Sequence, residues 1–359
     1  MIMTLHIFNP EHDLALAANK KGFTAPHAAR ELRSDLAFIP ALWAKEGDLV
    51  LVDDIDLAIQ RVKRLGYSIV VEFLTIDQLS EHFDEIVGEK NLQVCAWGWD
   101  LSLKYQLQTK CPQLAHYLPS DTTLEKIRKV SSREWAVEHL QKYSKYCFSL
   151  ESVKKVTSQM KKSVLKAPWS SSGRGIRFHI DGDELQLRWA DNVIRKQGGI
   201  AVEPMYSRVK DFGMEFEAHA DGHIEYCGLS LFDTVNGAYV GNVLASESQK
   251  IKMMEPYISK DRLIDIQNRI IQVMQKELKN VYVGVFGVDM MVYALSESAE
   301  EYGINECVEV NLRRTMGHVA LALSPEDSNS RPKVMSVNFD GSHYHLKVLA
   351  TNNREEEDN

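Results

Sequence analysis

Along the first hundred residues, short apolar runs alternate with longer amphipathic ones. Leu5–Phe8, Leu49–Val52, Ser68–Phe73 and Leu92–Trp97 predict short buried strands. The segments around Ala28–Lys45, Asp56–Leu65, Ile76–Val87 and Leu101–Thr109 carry helical spacing. Strand–helix alternation of this kind predicts a parallel sheet with helices on both faces. In such sheets ligands sit beyond the carboxyl ends of the strands. Two polar stretches fall there: Asn9-Pro10-Glu11-His12-Asp13 after the first strand and Trp97-Gly98-Trp99-Asp100 after the fourth.

A different pattern holds near the other end. Glu309-Val310-Asn311-Leu312-Arg313-Arg314 places an acid, an amide and an arginine at every second position, with Val308, Val310 and Leu312 between them. Period two predicts a strand that points Glu309, Asn311 and Arg313 to one face. An unsatisfied buried polar group costs roughly 1–3 kcal/mol, so such a row needs partners. Magnesium bound to phosphate would suit all three, because it takes oxygen ligands and arginine clamps phosphate. A half-exposed strand with one solvated polar face is the competing reading. Upstream, Val283–Val292 reads as a fully buried strand with one charge, Asp289, in its middle. If the acidic link Ser296–Gly303 returns the chain antiparallel, Asp289 and Glu309 meet. Two adjacent carboxylates repel unless a cation sits between them. An ion pair of Asp289 with Arg313 or Arg314 is the structural alternative.

A third stretch, Val164–Phe178, runs from a strand ending in Lys166 through Ser170-Ser171-Ser172-Gly173-Arg174-Gly175 and into another strand. Small residues let backbone N–H groups approach an anion. No Gly-Lys-Ser/Thr follows, so this is not a Walker A loop. A plain hairpin is the alternative.

Taken in order, these elements resemble the ATP-grasp superfamily, known for carboxylate–amine and carboxylate–thiol ligases. A lysine strand and Ser/Gly loop lead to Ile200-Ala201-Val202-Glu203-Pro204-Met205, then a strand pair, then Gly287-Val288-Asp289, then Glu309-x-Asn311-x-Arg313. The resemblance covers roughly residues 120–320. It implies an α/β chain, α+β in the nucleotide core, with a parallel-sheet domain before the ATP-grasp fold. The implied domains are 1–120 (N-terminal α/β), 121–205 (lid with phosphate loop), 206–345 (nucleotide and metal core) and 346–359 (an acidic, disordered tail).

The resemblance also implies roles. ATP and Mg2+ (or Mn2+) are the expected cofactors. Asp289, Glu309 and Asn311 match the metal positions. Lys166 matches the phosphate-binding strand lysine, and Ser170 to Gly175 match a lid loop that orders over the phosphates. Glu203 matches the acid that reads the adenine amino group, beside Pro204, Met205 and Tyr206. Asp211 lies where an acid meets the ribose hydroxyls. The usual second phosphate-binding lysine is missing; Arg133 is its expected substitute, with Lys126, Arg128 and Lys129 as nearby rivals. Arg313 or Arg314 would stabilise the transferred phosphoryl group. The implied reaction is ATP-dependent amide or peptide bond formation through an acyl phosphate. A small-molecule kinase and a nucleotide-binding protein without chemistry are the alternatives.

The cluster Asn9, Glu11, His12 and Asp13 reads either as a pocket for the acceptor or as helix capping by Asn9 or Asp13. Trp97 and Trp99 either stack on substrate or belong to the core. His318 either contacts substrate or is structural.

The chain has 359 residues, enough for two or three domains, with an ordinary 44% hydrophobic content. A net charge of −8 argues against general nucleic-acid or membrane-surface binding. No apolar run is long enough to span a membrane. The start reads as a first strand rather than a signal peptide. Cys95, Cys111, Cys147, Cys227 and Cys307 are scattered, which suits reduced thiols and a cytoplasmic location. Small-molecule carboxylate and amine substrates are the expected partners, with no nucleic acid and no membrane. A homodimer is compatible with this reading.

Overall fold

The computed structural model describes residues 2–88, 90–170, 175–235, 238–296 and 301–350. It divides into two compact units: 1–125 with 241–246 and 313–359, and 126–240 with 247–312.

The chain opens with β1 (Ile2–Ile7), α1 (His12–Ala18), α2 (His27–Leu36), β2 (Leu49–Leu51), α3 (Ile55–Arg64) and β3 (Glu72–Leu74). It continues through α4 (Ile76–Glu81), α5 (Phe83–Ile86), β4 (Asn91–Ala96), α6 (Leu101–Lys110) and α7 (Asp121–Val130). The strands form a parallel sheet in the order β3-β2-β1-β4, as the alternation predicted. Side chains of adjacent strand residues go to opposite cores. Val50, Phe73 and Trp97 join α2 and α3 on one face, while Leu5, Leu49 and Val94 join α4 to α6 on the other. The helices start where side chains satisfy free N–H groups: Asp54 on Leu57, Thr75 on Gln78 and Asp100 on Leu103. The region expected as one helix over 28–45 is α2 followed by a 3-10 turn, Ile39–Leu42. Pro40 supplies the reason, since it lacks the N–H a continuing α-helix needs.

The second unit holds α8 (Arg133–His139), β5 (Lys145–Cys147), α9 (Leu150–Met160), β6 (Lys162–Lys166), β7 (Ile176–Ile180), α10 (Glu184–Gln197) and β8 (Ile200–Pro204). A sheet β5-β8-β6-β7 is covered by α9 and α10 through Val153, Leu187, Ala190 and Val193. Next come β9 (Ser207–Ala218), β10 (Ile224–Val235), β11 (Ala238–Leu244), α11 (Glu247–Met254), α12 (Lys260–Leu278), β12 (Gly284–Ala294) and β13 (Tyr302–Asn311). Within this unit the antiparallel order is β13-β12-β9-β10. Leu263, Ile266, Ile270, Met274 and Leu278 form one buried stripe along α12.

The last elements, α13 (Met316–Leu323), β14 (Lys333–Phe339) and β15 (Tyr344–Ala350), belong to the first unit. There Asn242–Leu244 of β11 pair with β14, which pairs with β15. β15 therefore takes up the first residues of the segment expected as a tail. Leu346 and Val348 give it an apolar face that packs on the core. Residues 351–359 lie outside the described residues.

Candidate functional site

β12 runs between β13 and β9, and the register brings the expected acids together. Asp289 lies directly opposite Glu309, and Gly287 opposite Asn311. On the other side Asp289 faces Gly213, Gly287 faces Glu215, and Met291 faces Asp211. Since opposed residues share a face and the period is two, Asp211, Glu215, Asp289, Glu309 and Asn311 lie on one face. Gly213 and Gly287 fall between them. Asn311 Nδ2 donates to Asp289 Oδ2 at 2.9 Å.

Two sequence expectations need correction here. Asp289 is half-buried, and β12 is not fully buried along its length. The sheet has a polar face, so its central strand is dry on one side only. Second, β13 ends at Asn311, so Arg313 does not extend the row on the strand face. Leu312 is buried and ends the pairing. Arg313 instead makes a two-pronged ion pair with Asp13, Nε to Oδ1 at 3.0 Å and Nη2 to Oδ2 at 2.8 Å. The guanidinium of Arg314 stacks over Trp43, 4.2 Å from the ring centroid.

Arg133, the expected substitute for a lysine, is buried at the start of α8. Its Nη1 donates to the Ala167 carbonyl at 2.7 Å and to Ser170 Oγ at 2.9 Å. Its Nη2 meets Glu309 Oε1 at 2.6 Å. One guanidinium thus ties the start of the Ser/Gly loop to the acid strand. It also supplies a cation to Glu309, so protein groups alone already answer the repulsion argument drawn from sequence. Ser171, Ser172, Gly173 and Arg174 lie outside the described residues. The loop's two described ends meet: Ala167 N donates to the Gly175 carbonyl at 2.8 Å. A Cβ at Gly175 would lie 2.2 Å from Ser170 Cβ, so only glycine fits this neck.

Lys166 ends β6 as expected, and its protein partner is a buried carboxylate. Lys166 lies opposite Ala201 on β8, which puts Glu203 diagonally beside it on the same face. The Nζ–Oε2 distance is 2.6 Å. Lys166 Nζ also approaches the Val308 carbonyl at 3.5 Å. Gln141 Nε2 donates to Glu203 Oε1 at 3.4 Å. Past Pro204, Met205 is exposed. Tyr206 stacks on Tyr293 with centroids 4.2 Å apart. Burial, Tyr293 and Glu203 push the Tyr206 phenol up to about 12. Asp211 accepts from Thr234 Oγ1 at 2.7 Å and pairs with Arg208 at 3.0 Å.

In the first unit, Asn9 does not cap α1; the cap position is Glu11, without a side-chain bond. Asn9 instead clamps Gly98, donating to its carbonyl at 2.8 Å and accepting from its N–H at 3.2 Å. Asp100 Oδ2 takes Asn9 Nδ2 at 3.3 Å and His12 Nδ1 at 3.2 Å. This network joins the carboxyl ends of β1 and β4. A Cβ at Gly98 would sit 2.5 Å from the His12 ring. Glu11 pairs with Arg33 at 3.0 Å. Trp97 is core, edge-on to Phe8, and Trp99 packs on the second core cluster. His318 is buried in a capping box with Thr315 at the start of α13, which is a structural role.

Sequence reasoning missed a second polar group in the second unit. Lys250 on α11 is buried, donates to the Leu229 carbonyl at 2.6 Å and pairs with Glu247 at 3.1 Å. Tyr226 donates to Glu247 at 2.7 Å. Burial lowers the Lys250 ammonium pKa, with Glu247 and Glu215 opposing it. Glu215 could have been found by the same signal as Asp289, a lone acid in the apolar run Phe212–Phe216. Lys250 could not, because a lysine three residues from a glutamate reads as a solvated helix pair.

No family model and no curated protein matches the chain. Solved structures do. The biotin carboxylase domain of Hydrogenobacter thermophilus 2-oxoglutarate carboxylase, solved with MgADP, ADP and bicarbonate, matches with a TM-score of 0.51 at 11% identity, over 93% of this chain and 74% of that one. N5-carboxyaminoimidazole synthetase from Staphylococcus aureus covers 99% and 96% at 13% identity, TM-score 0.49. An Archaeoglobus fulgidus protein assigned to the ATP-grasp superfamily covers 97% and 99% at 12% identity, TM-score 0.49. At such identities likeness speaks for fold alone, and the chain shares the fold of that biotin carboxylase domain.

Proposed function

We propose that the protein is an ATP-dependent carboxylate–amine ligase. The observation that carries this reading is the in-register opposition of Asp289 and Glu309, with Asn311 bonded to Asp289, on one polar sheet face.

The donor chemistry fits magnesium. Two half-exposed carboxylates and an amide offer hard oxygen from one sheet face. Magnesium prefers such open sites, completed by water and substrate phosphates. Asp289, Glu309 and Asn311 would hold the ion, which when bound would supply positive charge against the phosphates. The rest falls to the chain's own residues. Lys166 and Arg133 supply cations for phosphate, exchanging their present carboxylate partners Glu203 and Glu309. Glu203, released from Lys166, accepts from the adenine amino group, beside Pro204, Met205 and the Tyr206–Tyr293 stack. Asp211 meets the ribose hydroxyls.

In the first step a carboxylate oxygen attacks the γ-phosphorus and the bond to ADP breaks. In the second the amine nitrogen attacks the acyl carbon, the bond to phosphate breaks, and the nitrogen loses a proton. Positioning and charge neutralisation carry most of such catalysis, so no protein nucleophile is required.

Mass spectrometry after incubation with ATP, magnesium and a pool of amino acids and small carboxylates tests this. The expected products are ADP, phosphate and a species weighing the acid plus the amine minus water. A phosphorylated metabolite without an amide would make the protein a kinase instead. A smaller test concerns the loop neck. Gly175→Ala pushes Ser170 away from Arg133 and should weaken binding of a non-hydrolysable ATP analogue about tenfold, about 1.4 kcal/mol. Unchanged affinity by calorimetry would separate this neck from the nucleotide.

A further inference from the structure

The carboxyl ends of β1 and β4 frame a cavity of about 190 Å³ within the first unit. Asn9, Glu11, Arg30, Arg33, Asp100 and Gln106 are among its lining residues. Its walls are fixed rather than loose. Ser102 Oγ donates to the Phe23 carbonyl at 3.1 Å, which pins the 23–25 loop to α6. Gln106 Nε2 donates to Ser102 at 3.1 Å, and Asp100 is held by Asn9 and His12.

Glu11 gives the cavity its chemistry. Its side chain is 11% exposed, and Oε1 takes Arg33 Nη1 at 3.0 Å. Oε2 is buried and accepts no hydrogen bond among the described residues. Such an atom is costly to leave unmet, more so on a charged group, and a ligand donor would relieve it. Beside it stand two guanidinium groups. Arg33 has donors beyond the one used on Glu11, and Arg30 at the rim has no ion-pair partner among the described residues. A carboxylate oxygen seeking a donor beside guanidiniums able to fork onto a carboxylate is complementary to a zwitterion. Size agrees: the volume holds several waters at roughly 10–15 Å³ each, yet is smaller than the roughly 300–1,000 Å³ of drug-sized sites.

We infer that this cavity binds a free α-amino acid, its ammonium on Glu11 Oε2 and its carboxylate on Arg33 and Arg30. The inference rests on the ligase reading only for the occupant's part in the reaction, as the amine substrate. The binding itself stands apart from that reading.

Calorimetric titration of the full chain with each of the twenty protein amino acids tests it. At least one should bind. Its 2-oxo acid, lacking the amine, and its decarboxylated amine should each bind at least tenfold more weakly. Glu11→Gln should weaken the same amino acid at least tenfold and leave the affinity for ATP with magnesium unchanged. Arg33→Gln serves as a second variant, with the same expectation. No binding by any amino acid would overturn the proposal, as would equal binding of the 2-oxo acid, or normal amino-acid affinity in both variants. ADP formation is scored separately: amino-acid binding without ADP formation sinks the ligase reading and keeps the site, and the reverse sinks the site alone.

Discussion

Glu309→Gln is expected to lower ADP formation by roughly a hundredfold or more, because even groups one step removed from a metal change affinity or activity about 10–100-fold. Glutamine keeps the shape and one carbonyl oxygen but removes the charge that a divalent ion needs. Alanine is the poorer test. Arg133 is 4% exposed and Glu309 31% exposed, so deletion strands a buried guanidinium beside a partly wet gap. Losing a hydrogen bond to a charged group costs about 1.5–3 kcal/mol, toward the lower end here because water reaches Glu309 and Arg133 keeps Ala167 and Ser170. The glutamine variant should therefore fold with a modestly lower denaturation midpoint. Steady-state ADP release and a urea titration on the same preparation give both numbers. Wild-type turnover in the folded variant would make Glu309 an anchor for Arg133 and nothing more.

Lys166→Met should show its largest effect in stability. Lys166 and Glu203 are 6% and 4% exposed, so removing the lysine leaves a buried carboxylate without its cation. Breaking one side of such a pair costs about 3–5 kcal/mol. The double variant Lys166→Met with Glu203→Gln removes the stranded charge and should regain most of that stability. Nucleotide affinity should not return with it, because both variants lack the cation that phosphate requires. This separation of stability from binding distinguishes a site pair from a purely structural one. A single variant as stable as wild type would contradict the buried pair, and full nucleotide affinity in the double variant would remove Lys166 from the phosphate site.

The two readings differ in how far they could be made from sequence. Asp289 was legible as a lone acid on an apolar strand and Glu309 as an acid alternating with Val308 and Val310, and short-range antiparallel return fixes their pairing. Arg313 was misread because the alternation Val308, Val310, Leu312 continues past the point where the strand stops. Helix α13 is capped by Thr315 with His318 closing the capping box, and histidine in place of Glu or Gln hides that start signal. The parallel sheet followed from strand–helix alternation alone. The Asn9–Asp100 clamp did not, because it joins residues 91 positions apart and depends on strand order. Arg30, Arg33 and Gln106 carry no local signal: on an amphipathic helix they look like any solvated face. Glu203 was found through the resemblance, while its pairing with Lys166 needed the register of β6 on β8.

The most direct test of the central claim is calorimetric titration of ATP into the full chain, with magnesium and then with excess chelator. The account predicts saturable binding with magnesium, at least a tenfold loss in chelator, and a similar loss in Glu309→Gln with magnesium present. Equal affinity with and without the metal, or no binding at all to the folded protein, would contradict it.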